Sequence, residues 1–339
     1  MKREGFTVLG KEGLRDKQSI EVVTGKIEVA DDVFMGQKLF AAKLGSKYAH
    51  CKVLSIDYTR ALALPGVEAV ADHTDIPGWS DVKSFKGQGV AMVAATTPTI
   101  AQRALELIDV EYEERPATID PEEALQSGSP LTGLWPDSNT NDRTELIREG
   151  GDVEAGLAEA DVEMEIDLGY SNNHSNHPFS GGNATTWWNG DELYCWIDTQ
   201  NPHSEHRGLA GAFDLNQNQV RVFTHGNGAG FGSGRAPAGI ESSVLSRKTG
   251  KVVSYHCDRK DQFENGPKQF ATKSTTRLGA KSDGTITAID FVYSSDQGMN
   301  SFAPMTGTHQ CWQHAINCMN VRLKGIGIST NTVPRSYYR

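Results

Sequence analysis

The chain has 339 residues, and its 33 lysines and arginines against 43 aspartates and glutamates give a formal net charge of −10. This length predicts about two domains, and the acidic balance argues against a nucleic-acid-binding protein, which would carry a basic face. No apolar run approaches the roughly 20 residues of a membrane span, and the N-terminus lacks the apolar segment of a secretory signal. Five cysteines are too few for a disulfide framework. We therefore expect a soluble, cytoplasmic globular protein with no membrane span.

The first 150 residues predict a mixed unit of helices and strands. Thr97 followed by Pro98 is typical of a helix start, because the threonine side chain caps the first turn and proline fits the first helical position. Asp120 followed by Pro121 repeats that pattern. Apolar runs of strand length lie at 38–43, 53–58, 67–71, 90–95 and 110–112. The order strand, helix, strand around Thr97 predicts a βαβ-like unit.

A change in composition separates this part from the rest of the chain. Residues 126–151 are rich in Ser, Gly, Pro and Asn, which predicts a linker or a long exposed loop. Beyond it, strands are predicted at 162–166, 193–197, 220–222 and 286–293, and short helices at 153–160, 205–213 and 240–247. The turn residues at 189–191 predict a hairpin. We therefore expect an α+β protein in which residues 1–150 form one domain and residues 151–339 form a second, mixed α/β domain.

The least usual segment is 226–235, where five of ten residues are glycine and Phe231 lies in the middle. Glycines let a backbone approach a ligand closely and present several N–H groups to it. The segment follows a predicted strand, but it lacks the Lys-Ser/Thr of a P-loop and does not match a Rossmann fingerprint. A ligand-binding loop is one interpretation, favoured by the bulky Phe231, and a structural turn is the other.

Two His-x-x-His pairs are candidates for a zinc site. His174 and His177 lie in a stretch rich in Asn and Ser that disfavours a helix, whereas His203 and His206 lie near a predicted helix start. A spacing of three on a helix places both rings on one face, where they can ligate zinc. Paired histidines on a loop or surface are the commoner outcome, and no Cys-x-x-Cys accompanies either pair. A zinc-binding protein is thus an alternative interpretation.

Two groups of short blocks follow one another along almost the whole chain. The first group lies at 24–26, 30–32, 48–57, 64–67 and 75–78. The second group lies at 151–153, 198–202, 226–235 and 330–332. In this order they resemble the a/b hammerhead domain and then the first half of the molybdopterin-binding region of the xanthine dehydrogenase and aldehyde oxidoreductase family. The ordered set carries the resemblance, because no single block is specific.

The resemblance implies roles for individual residues. Gln200 matches the family glutamine that hydrogen-bonds the apical oxygen on molybdenum, and is expected to be both a catalytic and a cofactor-binding residue. The backbone of Gly230, Phe231 and Gly232 matches the loop that lies against the molybdenum end of the pterin cofactor. Arg339 matches a catalytic arginine at the substrate pocket, where a planar cation can orient or polarise a substrate carbonyl.

Departures from the family pattern concern the substrate. Arg235 stands where xanthine-type enzymes have a substrate-binding glutamate. The loop reads Gly-Ala-Gly-Phe-Gly-Ser-Gly where the family usually has Gly-Gly-Gly-Phe-Gly-Gly-Lys. We therefore expect Phe231, Arg235 and Arg339 at the substrate pocket, and an anionic substrate such as an aromatic carboxylate rather than a purine.

For function, the resemblance implies an oxidoreductase: one molybdopterin-binding subunit of a split, multi-subunit molybdenum hydroxylase. Its reaction would hydroxylate an electron-poor (hetero)aromatic or aldehyde carbon of a small molecule with oxygen derived from water. The pterin, rather than side chains of this chain, would hold the molybdenum. Because the sequence ends at Arg339, a second molybdopterin subunit is expected to carry the glutamate base, with the 2Fe–2S centres and the FAD on further partner subunits.

Two alternatives from other classes of protein stay open. The first is a non-catalytic scaffold subunit of such a complex, in which the altered loop around Phe231 no longer holds cofactor. The second is the zinc-binding protein that uses the His-x-x-His pairs.

Overall fold

The computed structural model describes residues 18–33, 36–140, 146–170, 182–226, 238–266, 268–300 and 317–335. Within these ranges the strands are β1 (Lys38–Gly45), β2 (Cys51–Asp57), β3 (Val67–Asp72), β4 (Val82–Lys83), β5 (Gly89–Ala95), β6 (Asp109–Glu114), β7 (Leu146–Gly150), β8 (Val162–Tyr170), β9 (Ala184–Asn189), β10 (Glu192–Ile197), β11 (Val220–Phe223), β12 (Val252–Tyr255), β13 (Ala271–Ala280), β14 (Ile286–Asp296) and β15 (Val321–Ile328). The helices are α1 (Ser19–Val23), α2 (Thr59–Leu62), α3 (Pro98–Leu105), α4 (Pro121–Ala124), α5 (Val153–Ala158), α6 (Pro202–Ala212), α7 (Ala238–Thr249) and α8 (Arg259–Asn265). None of the helices in these ranges is long and apolar enough to cross a membrane.

The largest sheet has seven strands in the order β11-β10-β9-β12-β1-β5-β3. β10 runs parallel to β11, and β12 runs parallel to β1, whereas the other neighbours are antiparallel. On one face Leu245 of α7 belongs to the same apolar cluster as Met92 and Ala94 of β5. On the other face Ala101 of α3 packs with Ala95 of β5. Helices thus cover the sheet on both sides, which explains the continuous apolar run of β5, a strand buried over its whole length.

This sheet contains strands from both sides of residue 150. β1, β3 and β5 come from the first part of the chain, and β9 to β12 come from the second. The two groups meet where Lys38 to Ala41 of β1 pair with Val252 to Tyr255 of β12. Backbone hydrogen bonds therefore join the parts 1–150 and 151–339, and the boundary between them as domains stays a prediction.

Two smaller sheets complete the described part of the molecule. One has five strands in the order β7-β15-β14-β13-β8, and the other has three in the order β4-β2-β6. α5 lies on the five-stranded sheet, where Val153 and Leu157 pack against Ala288. Gly156 allows this close approach, since a Cβ there would lie 2.4 Å from the carbonyl oxygen of Thr287. The observed mixture of sheets and short helices confirms the expected α+β class.

Local signals in the sequence located the starts of α3 and α4 correctly. The Thr97 side chain accepts a hydrogen bond from the Ile100 N–H at 3.2 Å and caps α3. Asp120 Oδ1 accepts from the Glu122 N–H at 2.7 Å and caps α4. Both caps satisfy backbone donors of a first turn, as the sequence predicted.

The predicted linker at 126–151 is not exposed throughout. Thr132 and Asn139 are buried within it, and the Thr132 hydroxyl lies 2.7 Å from the Ser329 hydroxyl. The segment ends in β7, which pairs with β15. Two of its loop-forming residues, Thr132 and Asn139, therefore bond to the distant residue Ser329, and local composition does not predict such contacts.

Candidate cofactor site

The candidate site lies at one edge of the seven-stranded sheet, where parallel strands end side by side. The Thr224 hydroxyl, just after β11, donates a hydrogen bond to the carbonyl of Ile197, the last residue of β10, at 2.7 Å. β12 runs in the same direction, because β10 and β12 are both antiparallel to β9. Gln200 follows β10 and the glycine-rich segment 226–235 follows β11, so both leave the sheet at the same edge. Edges formed by the carboxyl ends of parallel strands are common places for ligand sites.

Gln200 lies in a short turn that its neighbours hold in place. Thr199 is buried, and its hydroxyl accepts a hydrogen bond from the Asn201 N–H at 3.1 Å. Asn201 caps α6, since its Oδ1 accepts from the Ser204 N–H at 3.1 Å. The Gln200 side chain itself is exposed, and no residue in the described ranges forms a hydrogen bond with its carboxamide. Both ends of this amide are therefore available to a ligand.

The other predicted site residues fall outside the described ranges. These are the loop residues Gly230, Phe231, Gly232 and Arg235 and the pocket arginine Arg339. The described ranges do bring Gln200 together with the start of their loop, because the loop begins directly after the end of β11.

Gly226, the first glycine of this loop, lies close to Ile27 and Glu28 at the start of the segment 27–33. A Cβ at Gly226 would lie 2.9 Å from Cδ1 of Ile27 and 3.4 Å from the carbonyl oxygen of Glu28. A methyl group there would displace the end of the Ile27 side chain. The start of the glycine-rich segment therefore packs closely against segment 27–33.

Segment 27–33 also covers the end of β10 through Asp198. The backbone N–H of Ala30 donates to Asp198 Oδ1 at 3.3 Å. The other carboxylate oxygen of Asp198 is buried and has no hydrogen-bond partner. Burial raises the pKa of Asp198 to about 6, and the nearby carboxylates of Asp31 and Asp32 add to the effect. A carboxyl group with a raised pKa thus lies two residues before Gln200.

Asp31 connects this segment to the ends of two further strands. Its Oδ2 accepts hydrogen bonds from His256 Nδ1 at 2.6 Å and from the Asn183 side chain at 2.8 Å. Asn183 in turn accepts from the Cys257 N–H at 2.9 Å, so it ties the start of β9 to the end of β12. The hydrogen bond to Asp31 raises the pKa of His256. The network holds the strand ends together beneath the turn that carries Gln200.

Sequence reasoning did not identify this network. Asp31 and Asp198 appear in the blocks of the resemblance, but nothing local connects Asp31 to His256, which follows it by 225 positions. Only the parallel pairing of β1 with β12 brings them together. A search for polar residues directly after predicted strands would have found Asp198 and His256 as candidates.

The second histidine pair lies on α6, as predicted, with His203 exposed. Nε2 of His206 lies within hydrogen-bond distance of two carbonyl oxygens, that of Gln217 at 2.9 Å and that of Val220 at 3.2 Å. Within the described ranges no group of three or more His, Cys, Asp or Glu side chains is placed to hold a metal ion. The first pair, His174 and His177, lies outside those ranges.

Two family models match the chain. The model described as "Molybdopterin cofactor-binding domain" matches residues 136–339, which is more than half of the chain. The model described as "Aldehyde oxidase and xanthine dehydrogenase, a/b hammerhead domain" matches residues 24–116. Gln200 and the glycine-rich segment fall inside the first match, and the segment 27–33 falls inside the second.

Known proteins resemble the chain over nearly its whole length. It is 29% identical to the nicotinate dehydrogenase large molybdopterin subunit of Eubacterium barkeri, and the match covers 98% of this chain and 82% of that protein. It is 28% identical to xanthine dehydrogenase of Dictyostelium discoideum, over 95% of this chain and 24% of that protein. The fold is similar to the crystal structure of quinoline 2-oxidoreductase from Pseudomonas putida 86, with a TM-score of 0.88 and 24% identity over 96% of this chain and 45% of that one. The chain thus spans less than half of the last two proteins. The two family matches, in the order that the blocks predicted, show that it belongs to the xanthine dehydrogenase and aldehyde oxidase family and contains a molybdopterin cofactor-binding domain.

Proposed function

We propose that this chain is a molybdopterin-binding subunit of a multi-subunit molybdenum hydroxylase. The observation that carries the proposal is that the molybdopterin cofactor-binding match, 136–339, contains the sheet edge at which Gln200 is exposed with a free carboxamide. When bound, the cofactor supplies two-electron redox chemistry that places a water-derived oxygen on an electron-poor carbon. The substrate exchanges a C–H bond for a C–O bond, and two electrons and two protons are released.

The residues at the sheet edge fit such a cofactor. Gln200 offers a neutral amide donor in an exposed turn. The described ranges hold no cluster of side chains that could ligate a metal on its own. A neutral amide donor suits an oxygen atom of such a cofactor.

Each predicted residue then has a distinct task. Gln200 would donate a hydrogen bond to the cofactor, and Gly230, Phe231 and Gly232 would help to hold it through their backbone. Phe231, Arg235 and Arg339 would line the substrate pocket, where the two arginine charges would attract an anionic substrate.

The substrate class follows from these two arginines and from the relatives. The relatives are named for nicotinate and xanthine, which are both nitrogen heteroaromatics, and nicotinate is also a carboxylate. We infer a small electron-poor heteroaromatic acid as the substrate of this chain's complex.

Partner chains supply what this chain does not. A second chain carries the remaining molybdopterin region with the glutamate base, and further subunits carry the 2Fe–2S centres and the FAD that receive the electrons. The name of the Eubacterium barkeri relative, a large molybdopterin subunit, supports such a division. The boundary between a domain 1–150 and a domain 151–339 belongs to the same proposal.

Turnover by the purified complex tests this assignment of Gln200. Gln200→Ala is expected to lower kcat at least about 10-fold, because removing one such donor costs a factor of about 10 to 1,000. Thermal stability is expected to be unchanged, because the side chain makes no bond to the part of the chain that the structure describes. Gln126→Ala is the matched control, since Gln126 is also an exposed glutamine. If both variants turn over like the unaltered complex, the chain is instead a non-catalytic scaffold.

A further inference from the structure

β8 forms the outer edge of the five-stranded sheet, and its form differs from that of every other edge strand in the described ranges. It has nine residues, whereas the other five edge strands have two to six. It pairs with β13 along its whole length without a register shift, while both β3 and β6 pair with one. It contains no proline and no lysine. Proteins normally protect exposed edges with short strands, bulges, prolines or lysines, and β8 has none of these.

One face of β8 presents exposed apolar side chains. Val162, Met164, Ile166 and Leu168 alternate with Glu163, Glu165 and Asp167 along the strand. Val162, Met164 and Leu168 are 58%, 48% and 62% exposed. Strand residues two apart point to the same face, so these side chains form a continuous apolar row beside an open backbone edge.

This apolar row continues inward across the sheet. Met164 pairs with Leu278 of β13, and Leu278 pairs with Ile289 of β14. Ile289 is 1% exposed, whereas Met164 at the end of the same row is about half exposed. The apolar face is thus covered at the middle of the sheet and open at β8. Exposed apolar surface that continues a buried core is typical of an interface.

The opposite face of β8 is acidic and only partly neutralised. Glu163 bonds to Arg277 at 3.0 Å, and Asp167 accepts a hydrogen bond from the Thr275 hydroxyl at 2.6 Å. No side chain in the described ranges bonds to Glu165, which lies between them. A strand laid along β8 would therefore fit best if its apolar residues alternated with Lys or Arg.

We propose that β8 is the docking edge for the chain that carries the remaining molybdopterin region. That chain adds a strand to the outer edge of β8, covers Val162, Met164 and Leu168, and places a basic residue beside Glu165. The identity of this partner rests on the proposed function. More than half of the quinoline 2-oxidoreductase chain lies outside its match to this fold. If the complex of this chain has the same overall composition, a second chain of comparable length must pack against it. β8 offers that polypeptide both backbone hydrogen bonds and apolar area.

Site-specific photo-crosslinking in the assembled complex tests the docking edge. Met164 is replaced by p-benzoylphenylalanine, and the control carries it at Leu54, an apolar residue of β2 with 51% exposure. Irradiation is expected to join position 164, and not position 54, to the second molybdopterin-region chain, as identified by mass spectrometry. A crosslink to another copy of this chain, or to an iron–sulfur or FAD subunit, overturns the proposal. So does the absence of any crosslink from position 164 in an intact complex.

Association of the subunits provides a second measurement. Met164→Lys is expected to raise the Kd for the second chain about 10-fold or more, and Leu54→Lys is expected to change it less than about twofold. Equal effects of the two variants contradict the proposal. Molybdenum and pterin content are measured on the same preparations. A complex that contains molybdenum and pterin but fails the crosslinking and association tests refutes the docking edge alone. A complex that passes the two tests but contains no molybdenum and no pterin refutes the proposed function.

Discussion

The seven-stranded and the five-stranded sheets differ in the exposure of apolar side chains at their edge strands. Both bury an ion pair: Lys43 Nζ lies 3.8 Å from Asp261 beside the first sheet, and Arg335 lies 2.7 Å from Asp296 at the end of β14 in the second. Asp261 also accepts a hydrogen bond from the Tyr255 hydroxyl at 2.8 Å. The five-stranded sheet instead leaves apolar side chains exposed along β8.

The contrast separates two tasks within one chain. In the first sheet, the ends of the parallel strands hold Gln200 and the start of the glycine-rich loop in fixed positions. The acidic side of the second sheet is partly neutralised by Arg277 and Arg322, and its apolar row is open at the edge. We interpret the first sheet as the support for the cofactor site and the second as the support for a partner.

The largest expected effect compares two leucines, one from each region. Leu245 is fully buried under the seven-stranded sheet, so Leu245→Ala is expected to lower the free energy of unfolding by about 2–5 kcal/mol. Leu168 is 62% exposed on β8, so Leu168→Ala is expected to change it by less than about 0.5 kcal/mol. Urea unfolding of the purified chain measures both. If the two variants lose similar amounts of unfolding free energy, the burial of apolar side chains does not differ between Leu245 and Leu168, and the contrast between the two regions is wrong.

The second prediction concerns the buried carboxyl group beside the site. The pKa of Asp198 is raised to about 6 in the folded protein, so the stability that its neutral form provides is present at low pH and is lost as the pH rises through that value. Asp198→Asn keeps an acceptor for the Ala30 N–H and carries no charge. At pH 8 the variant is expected to be more stable than the unaltered chain by about 2 kcal/mol, after allowance for partial solvent screening.

Unfolding titrations over a range of pH values check this sign. The advantage of Asp198→Asn should vanish below about pH 4, where the carboxyl group is neutral in both states. Asp191→Asn, a change at an exposed aspartate in the hairpin turn, serves as the control and should show no such trend. An advantage that is independent of pH would mean that Asp198 is not destabilised by its charge.

The smallest expected effect tests the close contact at the start of the loop. Gly226→Ala places a Cβ 2.9 Å from Cδ1 of Ile27, and the end of this side chain can shift, so the expected loss is about 1 kcal/mol or less. Ile27→Val removes Cδ1, the nearest atom, and leaves Cγ1 at 3.1 Å. The double variant should therefore recover part of the loss, as a double-mutant cycle of thermal unfolding measures. Additive losses would show that the two residues do not touch.

Strands and helix starts were predictable where the signal was local. The apolar run at 90–95 and the cap at Thr97 each depend on neighbouring residues, and both predictions are confirmed. β13 was not predicted, because Ala271–Ala280 has Leu278 as its only large apolar residue and its place in the sheet depends on pairing with β8 and β14. α8 was not predicted either, although Asp258 caps it by accepting from the Asp261 N–H at 2.8 Å.

The site was predictable only in part, and for a similar reason. The resemblance identified Gln200, and the structure places that residue exposed at the edge where the glycine-rich loop begins. The Asp31–His256 pair was beyond prediction, because it forms only when β1 and β12 pair across the middle of the sheet. Roles for Gly230, Phe231, Gly232, Arg235 and Arg339 stay predictions, which the turnover of variants can test.

The cofactor content of the purified complex tests the central claim most directly. Molybdenum is measured by elemental analysis and pterin by fluorescence after oxidation, each relative to the amount of this chain. The account predicts about one molybdenum and one pterin for each copy of the chain, and loss of both when the second molybdopterin-region chain is removed. A complex that assembles fully and contains neither molybdenum nor pterin would contradict it.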